Sequence, residues 1–407
     1  MNDAPLRGLI ATLVLALALP AATPAQEAPG AGAPASGRID PQEERIWVSA
    51  RVNDRPVRLC LDTGAEVCVL LRGAAERLGL AVTKAEPGGP LAPGKVAVDR
   101  TEACTVDLGG RKFHGATWAV LAIPPPLERG IDGILGWSFL ARGILAIDWD
   151  ERAVRFLTEL PDGIAGWTRW KMRAESEALI VEIPSGEAEP LAAILDTGDA
   201  GGVSLGAAAW ARWKDANPSA PATLVGGYSP GYGFFVEPIR WARRLVLGDL
   251  EIEGMPVGST RHPMLEAWRC GATIGLVGLS RFHLVIDGPG RTVYLRPRAK
   301  FAWKFACNRL GAVFLPESLE GTRLIAHVVP DSPAARAGIR PGDELRKIGG
   351  LDVTAWRTDP KVLPLSRFWE QPAGAALELT IARGSELTTL VVKLEEIFPD
   401  ARRFDPE

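Results

Sequence analysis

Histidine, tyrosine and cysteine are scarce in this chain of 407 residues, with four, three and five copies. The histidines (His114, His262, His283, His327) stand far apart, and the cysteines (Cys60, Cys68, Cys104, Cys270, Cys307) show no metal-type spacing. No metal site is therefore expected, and no cofactor. With an odd number of cysteines, at least one stays unpaired within the chain. A bond from Cys60 to Cys68 or Cys104 is left open, with buried free thiols expected for most of the five. The chain also lacks basic character: its net charge is -3 and no Lys or Arg cluster stands out, which argues against a nucleic-acid partner. Phosphate-loop and dinucleotide fingerprints are missing too. Gly227-Tyr228-Ser229-Pro230-Gly231 has the letters of a serine-hydrolase elbow. That motif needs a strand before it and a helix after it, whereas this copy sits in a glycine-rich tip with proline behind the serine.

Long hydrophobic runs are missing as well. The N-terminal run Leu9–Leu19 is too short to span a bilayer. With Arg7 before it and Thr23-Pro24-Ala25 after it, it reads as an export signal over 1–25. A periplasmic or secreted protein follows, with no stable membrane anchor after cleavage. Residues 26–44 are rich in Ala, Pro and Gly and are expected to be a flexible leader. Beyond the leader, 47% hydrophobic and 23% charged residues suit a soluble globular protein. At roughly 100–200 residues per domain, the length suggests two to four domains.

What the chain does have is a sentence said twice. Alternating Ile46, Val48, Ala50 and Val52, a turn at Asn53-Asp54, and then Val57, Leu59 and Leu61 predict a hairpin running into Asp62-Thr63-Gly64-Ala65. A helical stretch (72–80), a turn-rich tip containing Gly88 and Gly89, further strands, and Gly133-Ile134-Leu135-Gly136 follow. Ile144–Asp148 and Val154–Leu157 close the unit. The second copy runs from Leu179–Ile183 and Leu191–Leu195 into Asp196-Thr197-Gly198-Asp199. It continues with a helical run (206–214), a tip holding Gly227, Tyr228 and Tyr232, the segment Gly275-Leu276-Val277-Gly278, and His283–Asp287. Duplication explains the shared order better than coincidence.

Two Asp-Thr-Gly loops, each with a downstream apolar-apolar-Gly partner, resemble the active-site elements of retropepsin-like aspartic proteases. The resemblance implies a mainly β protein with two pseudo-symmetric lobes, 45–158 and 177–298. Asp62 and Asp196 would be the catalytic pair, and Thr63 and Thr197 would bind backbone across the dyad axis. Leu135, Gly136, Val277 and Gly278 would support the loops from beneath. The two tips would be flaps over an extended peptide substrate, with Tyr228 and Tyr232 placed to stack on it. A mildly acidic optimum and apolar residues beside the cut are further implications. Farther on, Leu310-Gly311-Ala312-Val313 and the run Val328–Leu345 resemble a PDZ domain, covering 303–396. That implies strand addition of a C-terminal peptide, its carboxylate received by the amides of Leu310, Gly311, Ala312 and Val313. The tail after Glu396 is charged and is expected to fray.

The chemistry follows from the pair. Like charges a few ångströms apart cannot both ionise cheaply, so two facing carboxyls share one proton and supply an acid and a base together. Gly64 and Gly198 are needed because a Cβ would crowd the opposing loop. Asp199 departs from the pattern, since the family has a small or hydroxylic residue there and the first copy has Ala65. It either perturbs the pair as a third carboxylate or turns outward into an Asx turn, and the second reading is favoured. The competing reading of the whole chain is a non-catalytic peptide-binding scaffold of the cell envelope on the same fold.

Overall fold

The structure is a computed structural model that describes residues 36–40, 44–85, 98–122, 130–174, 176–229, 233–260, 265, 268–298, 307–359 and 361–404. The export signal, most of the leader, Gly88, Gly89 and Tyr232 lie outside the described residues. Among the described residues, no helix is long and apolar enough to cross a membrane.

Arg45–Val52 and Arg55–Leu61 pair antiparallel, from Trp47 opposite Cys60 to Val52 opposite Arg55. Asn53 and Asp54 both have positive φ (46° and 63°), the two-residue turn whose twist matches its strands. Ile46, Val48, Ala50 and Val52 face the core, and Ser49 and Arg51 face solvent. Ile180–Ser185 and Ala188–Leu195 repeat the arrangement in the second lobe, turning at Gly186 with φ 59°. Each hairpin therefore ends in the backbone that carries an aspartate.

A short strand lies parallel to the end of each hairpin, and here the register corrects the sequence pattern. In lobe 1 Gly133–Leu135 pairs with Leu59–Leu61, placing Leu135 opposite Leu61. In lobe 2 the equivalent strand is Ala272–Ile274, with Ile274 opposite Leu195. The counterpart of Leu135-Gly136 is thus Ile274-Gly275, three residues before Val277-Gly278. Val277 and Gly278 belong to the buried helix Leu276–Leu279, which matches Trp137–Leu140 of lobe 1. Thr273 breaks the apolar-apolar-Gly pattern in the observed frame, so the pattern points to Leu276-Val277-Gly278 while the ladder pairing selects Ile274-Gly275.

The closing strands of the two repeats pair with each other. Ile144–Asp148 runs antiparallel to Phe282–Asp287, with Ile144 opposite Asp287 and Ile147 opposite Leu284. Leu145, Ile147, Leu284 and Ile286 are buried along this seam, so the lobes share one sheet and one core. The leader is not wholly loose: Ser36–Asp40 is a strand paired with both Arg45–Val52 and Ala153–Leu157. Ile39 is buried there, and a Cβ on Gly37 would lie 2.8 Å from the Trp47 carbonyl oxygen. All five cysteines are free and buried.

The C-terminal domain has its own six-stranded sheet and its own core around Leu310, Phe314, Ile339, Trp356 and Leu379. Ser332 caps a short helix by accepting from the Ala335 N–H at 3.2 Å, with Pro333 as its first residue. Arg383 grips buried Asp343 through both carboxylate oxygens, each at 2.8 Å. A separate small core (Ile239, Trp241, Cys307, Phe398) joins this domain to lobe 2. The tail is therefore docked where fraying was expected. Phe398 is fully buried against Trp241, with ring centroids 5.8 Å apart, and Asp400 pairs with Arg243 at 2.6 Å. The apolar Ile397-Phe398 step outweighs the charges around it.

Replacing Phe398 by Ala should cost about 3–5 kcal/mol, the range for emptying a buried aromatic site. The urea midpoint measures it, and limited proteolysis should then cut after residue 396. An unchanged midpoint would mean that the tail only rests on lobe 2.

Candidate active site

The two Asp-Thr-Gly loops meet where the lobes join. The parallel strands hold each aspartate by its own backbone: Asp62 N–H donates to the Leu135 carbonyl at 3.1 Å, and Asp196 N–H to the Ile274 carbonyl at 2.9 Å. Each side chain then folds back on its loop. Asp62 Oδ1 accepts from the N–H groups of Gly64 (2.9 Å) and Ala65 (2.8 Å). Asp196 Oδ1 accepts from those of Gly198 (2.8 Å) and Asp199 (3.2 Å). One oxygen of each carboxyl is thereby immobilised, and the two carboxyls are coupled, each perturbing the other's proton affinity.

Thr63 and Thr197, both fully buried, lock the loops reciprocally. Thr63 N–H donates to Thr197 Oγ1 at 3.0 Å, and Thr197 N–H donates to Thr63 Oγ1 at 3.1 Å. Each hydroxyl crosses the axis as well, Thr63 Oγ1 donating to the Leu195 carbonyl at 2.6 Å and Thr197 Oγ1 to the Leu61 carbonyl at 2.9 Å. The glycines are forced by the opposite carboxylate rather than by φ. A Cβ on Gly64 would lie 2.5 Å from Asp196 Cγ, and one on Gly198 would lie 2.3 Å from Asp62 Cγ.

Beneath the loops the lobes match again. Trp137 N–H donates to the Ala65 carbonyl and Leu276 N–H to the Asp199 carbonyl, each at 2.7 Å. A Cβ on Gly136 would strike the Val67 carbonyl oxygen at 2.3 Å, and one on Gly275 the Gly201 carbonyl oxygen at 2.6 Å. Val277 N–H donates to the Gly201 carbonyl at 2.9 Å, and Gly278 packs against Gly202 and Ile274. Both residues therefore lie under the second loop, one helical turn from the position the pattern suggested.

Asp199 divides between its two readings. It forms the Asx bond, accepting from Gly201 N–H at 2.7 Å. It does not turn outward, because its Cγ is 2.9 Å from where a Gly275 Cβ would be. Burial, then the Asp196 charge, raises its pKa to about 6. Burial and the Asp62 charge push Asp196 up to about 8, and burial raises Asp62 against its backbone hydrogen bonds. Burial thus raises both members of the pair, which titrate together as a pair. Arg45 is the cation whose field opposes these shifts at Asp62 and Asp199. Nothing in the Asp-Thr-Gly motif marks it; the fold brings it in from the start of the first hairpin.

The second tip belongs to a long hairpin, Ala222–Ser229 with Gly233–Leu247. Tyr228 packs on Phe234 (centroids 5.2 Å apart), and Phe234 meets Trp356 of the C-terminal domain edge-on at 6.0 Å. A Cβ on Gly227 would press on the Phe235 ring at 2.7 Å. One face of this hairpin is thus attached to the C-terminal domain. The carboxylate loop needs a correction too. The N–H groups of Leu310 and Gly311 are taken by Asn308 Oδ1 at 3.0 and 3.1 Å, while Ala312 and Val313 enter the strand Ala312–Leu315. Asp148, Asp150 and His283 also cluster at the lobe seam. There Asp150 is ion-paired with Arg298 and Asp148 Oδ1 accepts two backbone N–H groups, so the cluster's charge is already engaged.

Residues 48–139 match the family model of aspartyl proteases, and residues 324–383 match that of a PDZ domain. Solved structures similar to the chain include an aspartic proteinase from Irpex lacteus, with 16% identity, TM-score 0.41, 66% of this chain and 98% of that chain covered. Another is conglutin gamma, a unique basic 7S globulin from lupine seeds, with 11% identity, TM-score 0.40 and coverage of 66% and 98%. The search of curated proteins finds no match. The chain thus carries an aspartyl-protease lobe, duplicated in the fold, and a C-terminal PDZ domain.

The raised pKa of Asp196 links stability to pH. Between an unfolded value of ~3.9 and the folded value of about 8, the folded chain binds a proton that the unfolded chain has released. That contribution is complete below the unfolded value and is lost as pH rises through the folded one. Melting temperatures taken from pH 4 to 8 should therefore fall in the wild type and fall less in Asp196→Asn. Parallel curves would remove Asp196 as the linked group.

Proposed function

We propose that the protein is an exported aspartic endopeptidase that hydrolyses peptide bonds in an extended chain crossing the cleft between its lobes. The observation that carries this reading is the Asp62–Asp196 pair, half-buried, coupled to each other and locked by reciprocal threonine bonds. Ionised Asp62 takes a proton from a water molecule as its oxygen bonds to the scissile carbonyl carbon. Asp196 gives its proton to the carbonyl oxygen, leaving a neutral tetrahedral diol. Asp62 then protonates the departing nitrogen, the C–N bond breaks, and Asp196 recovers a proton from one hydroxyl. The backbone N–H groups at Oδ1 of each aspartate keep both carboxyls aimed through these transfers. The Leu9–Leu19 run and its flanks support export.

The pH range should differ from the mildly acidic one implied by resemblance. Asp196 is raised to about 8, so the protonated state of the pair extends to higher pH than that of ordinary carboxyls. The scaffold reading draws on a single feature, the carboxylate of Asp199 beside the pair, which offers charge where the family has none.

Incubating the mature protein with a mixture of unstructured peptides from pH 3 to 8 separates the readings. Cleavage that falls by at least about 10²–10⁴-fold in both Asp62→Asn and Asp196→Asn supports the enzyme. No cleavage at any pH with peptide binding retained would establish the scaffold. In the same series, Asp199→Ser removes a carboxyl that the Asp196 charge helps raise to about 6, and the repulsion between two like charges acts on both of them. The basic limb of kcat/KM should move to lower pH, and an unmoved limb would exclude coupling between the two.

A further inference from the structure

The C-terminal domain meets lobe 2 at the loop where a peptide terminus would be received. Asn308 is 6% exposed, and all four hydrogen-bonding positions of its side chain that the loop geometry calls on are filled. Its Oδ1 accepts from the N–H groups of Leu310 (3.0 Å) and Gly311 (3.1 Å). Its Nδ2 donates to the carbonyl of Leu224 in the lobe-2 hairpin (2.9 Å) and to that of Ala312 (3.0 Å). Two N–H groups on one end and two carbonyls on the other fix which end is which. Thr223 Oγ1 answers from the hairpin by donating to the Asn308 carbonyl at 2.9 Å. Farther along, Gly226 lies against the strand Ala312–Leu315, where a Cβ would sit 3.3 Å from Val313 Cβ and 3.0 Å from Leu315 Cδ1. On the other side of the loop, Arg309 N–H donates to the Trp369 carbonyl at 2.8 Å.

We propose that the domain is capped in cis: the Asn308 carboxamide oxygen occupies the place of a peptide's terminal carboxylate, and its nitrogen ties that place to the lobe-2 hairpin. A free C-terminus then binds only by displacing Asn308, and displacement releases Leu224. Occupancy of the domain and the hold on the hairpin exclude one another. The inference rests on the C-terminal domain's fold and on these contacts, and is independent of whether the aspartate pair cuts peptides. An ionised carboxylate accepts more strongly than an amide oxygen, but displacement also breaks both bonds donated by Asn308, so the intact cap excludes the peptide terminus. The disturbed packing at Gly226 opposes displacement as well.

The test uses the full mature chain in an Asp62→Asn background, so that no cleavage intervenes. The probe is a fluorescent decapeptide ending in an apolar residue, prepared as the free acid and as the C-terminal amide. With Asn308 present, acid and amide should bind alike or not at all. Asn308→Gly should bind the acid at least about tenfold tighter than the amide, the worth of one or two hydrogen bonds. Asn308→Asp retains an acceptor and loses both donated bonds. It should show no preference for the acid, while amide hydrogen exchange across 222–229 accelerates by about tenfold or more. A clear preference for the acid with Asn308 intact overturns the proposal. So does the absence of any preference in folded Asn308→Gly, or unchanged exchange across 222–229 in Asn308→Asp.

Discussion

Everything at the centre of this molecule depends on four hydrogen bonds between Thr63 and Thr197 and the strands opposite them. These groups are buried, so each bond left unmade would cost about 1–3 kcal/mol against a net gain of about 0.5–1.5 kcal/mol when made. The asymmetry of those magnitudes makes the lock close to all-or-none, because a shift of either loop orphans several groups at once. With the lock closed, Gly64 and Gly198 lie against the opposite carboxylates, and Asp62 and Asp196 are coupled. The closeness of the two carboxyls is therefore tied to the threonine geometry. The seam between Ile144–Asp148 and Phe282–Asp287 serves the same end by joining the lobes in one sheet.

On this symmetric base the second lobe differs in ways that bear on the chemistry. It places Asp199 where the first lobe has Ala65, and the extra carboxyl is held inward by Gly201 and by the closeness of Gly275. It also carries the long hairpin that Asn308, Phe234 and Gly226 fasten to the C-terminal domain. Charge next to the pair and mechanical restraint on the hairpin both enter through lobe 2. Lobe 1 contributes Arg45, whose positive field partly offsets the carboxylates. The two halves of an old duplication have thus become unequal partners.

Much of this was legible beforehand, for identifiable reasons. Hairpins were readable because alternation is imposed by the pleat, and Ile46, Val48, Ala50 and Val52 obey it. The repeat was readable because both copies keep the same order of strand, loop, helix and tip. The frame of the second supporting strand was not, since Thr273 breaks the apolar pattern before Ile274-Gly275, Leu276-Val277-Gly278 keeps it, and only pairing with Leu195 selects the former. Ser36–Asp40 was hidden in an Ala/Pro/Gly-rich leader because its partners lie at Val48 and Val154. The tail at Phe398 was hidden in the same way, its partner Trp241 being far off in the chain.

The sequence by itself determined the local elements, the duplication, and the chemical identity of the groups that meet: two carboxyls, two hydroxyls and two glycines. These follow from short-range rules of pleat, turn and side-chain size. Tertiary structure alone decided which oxygens are held, that burial raises both carboxyls of the pair, that Asp199 faces inward, and that Asn308 binds the loop of its own domain. Such outcomes depend on burial and on contacts between distant segments, where desolvation and a few tenths of an ångström outweigh any local preference.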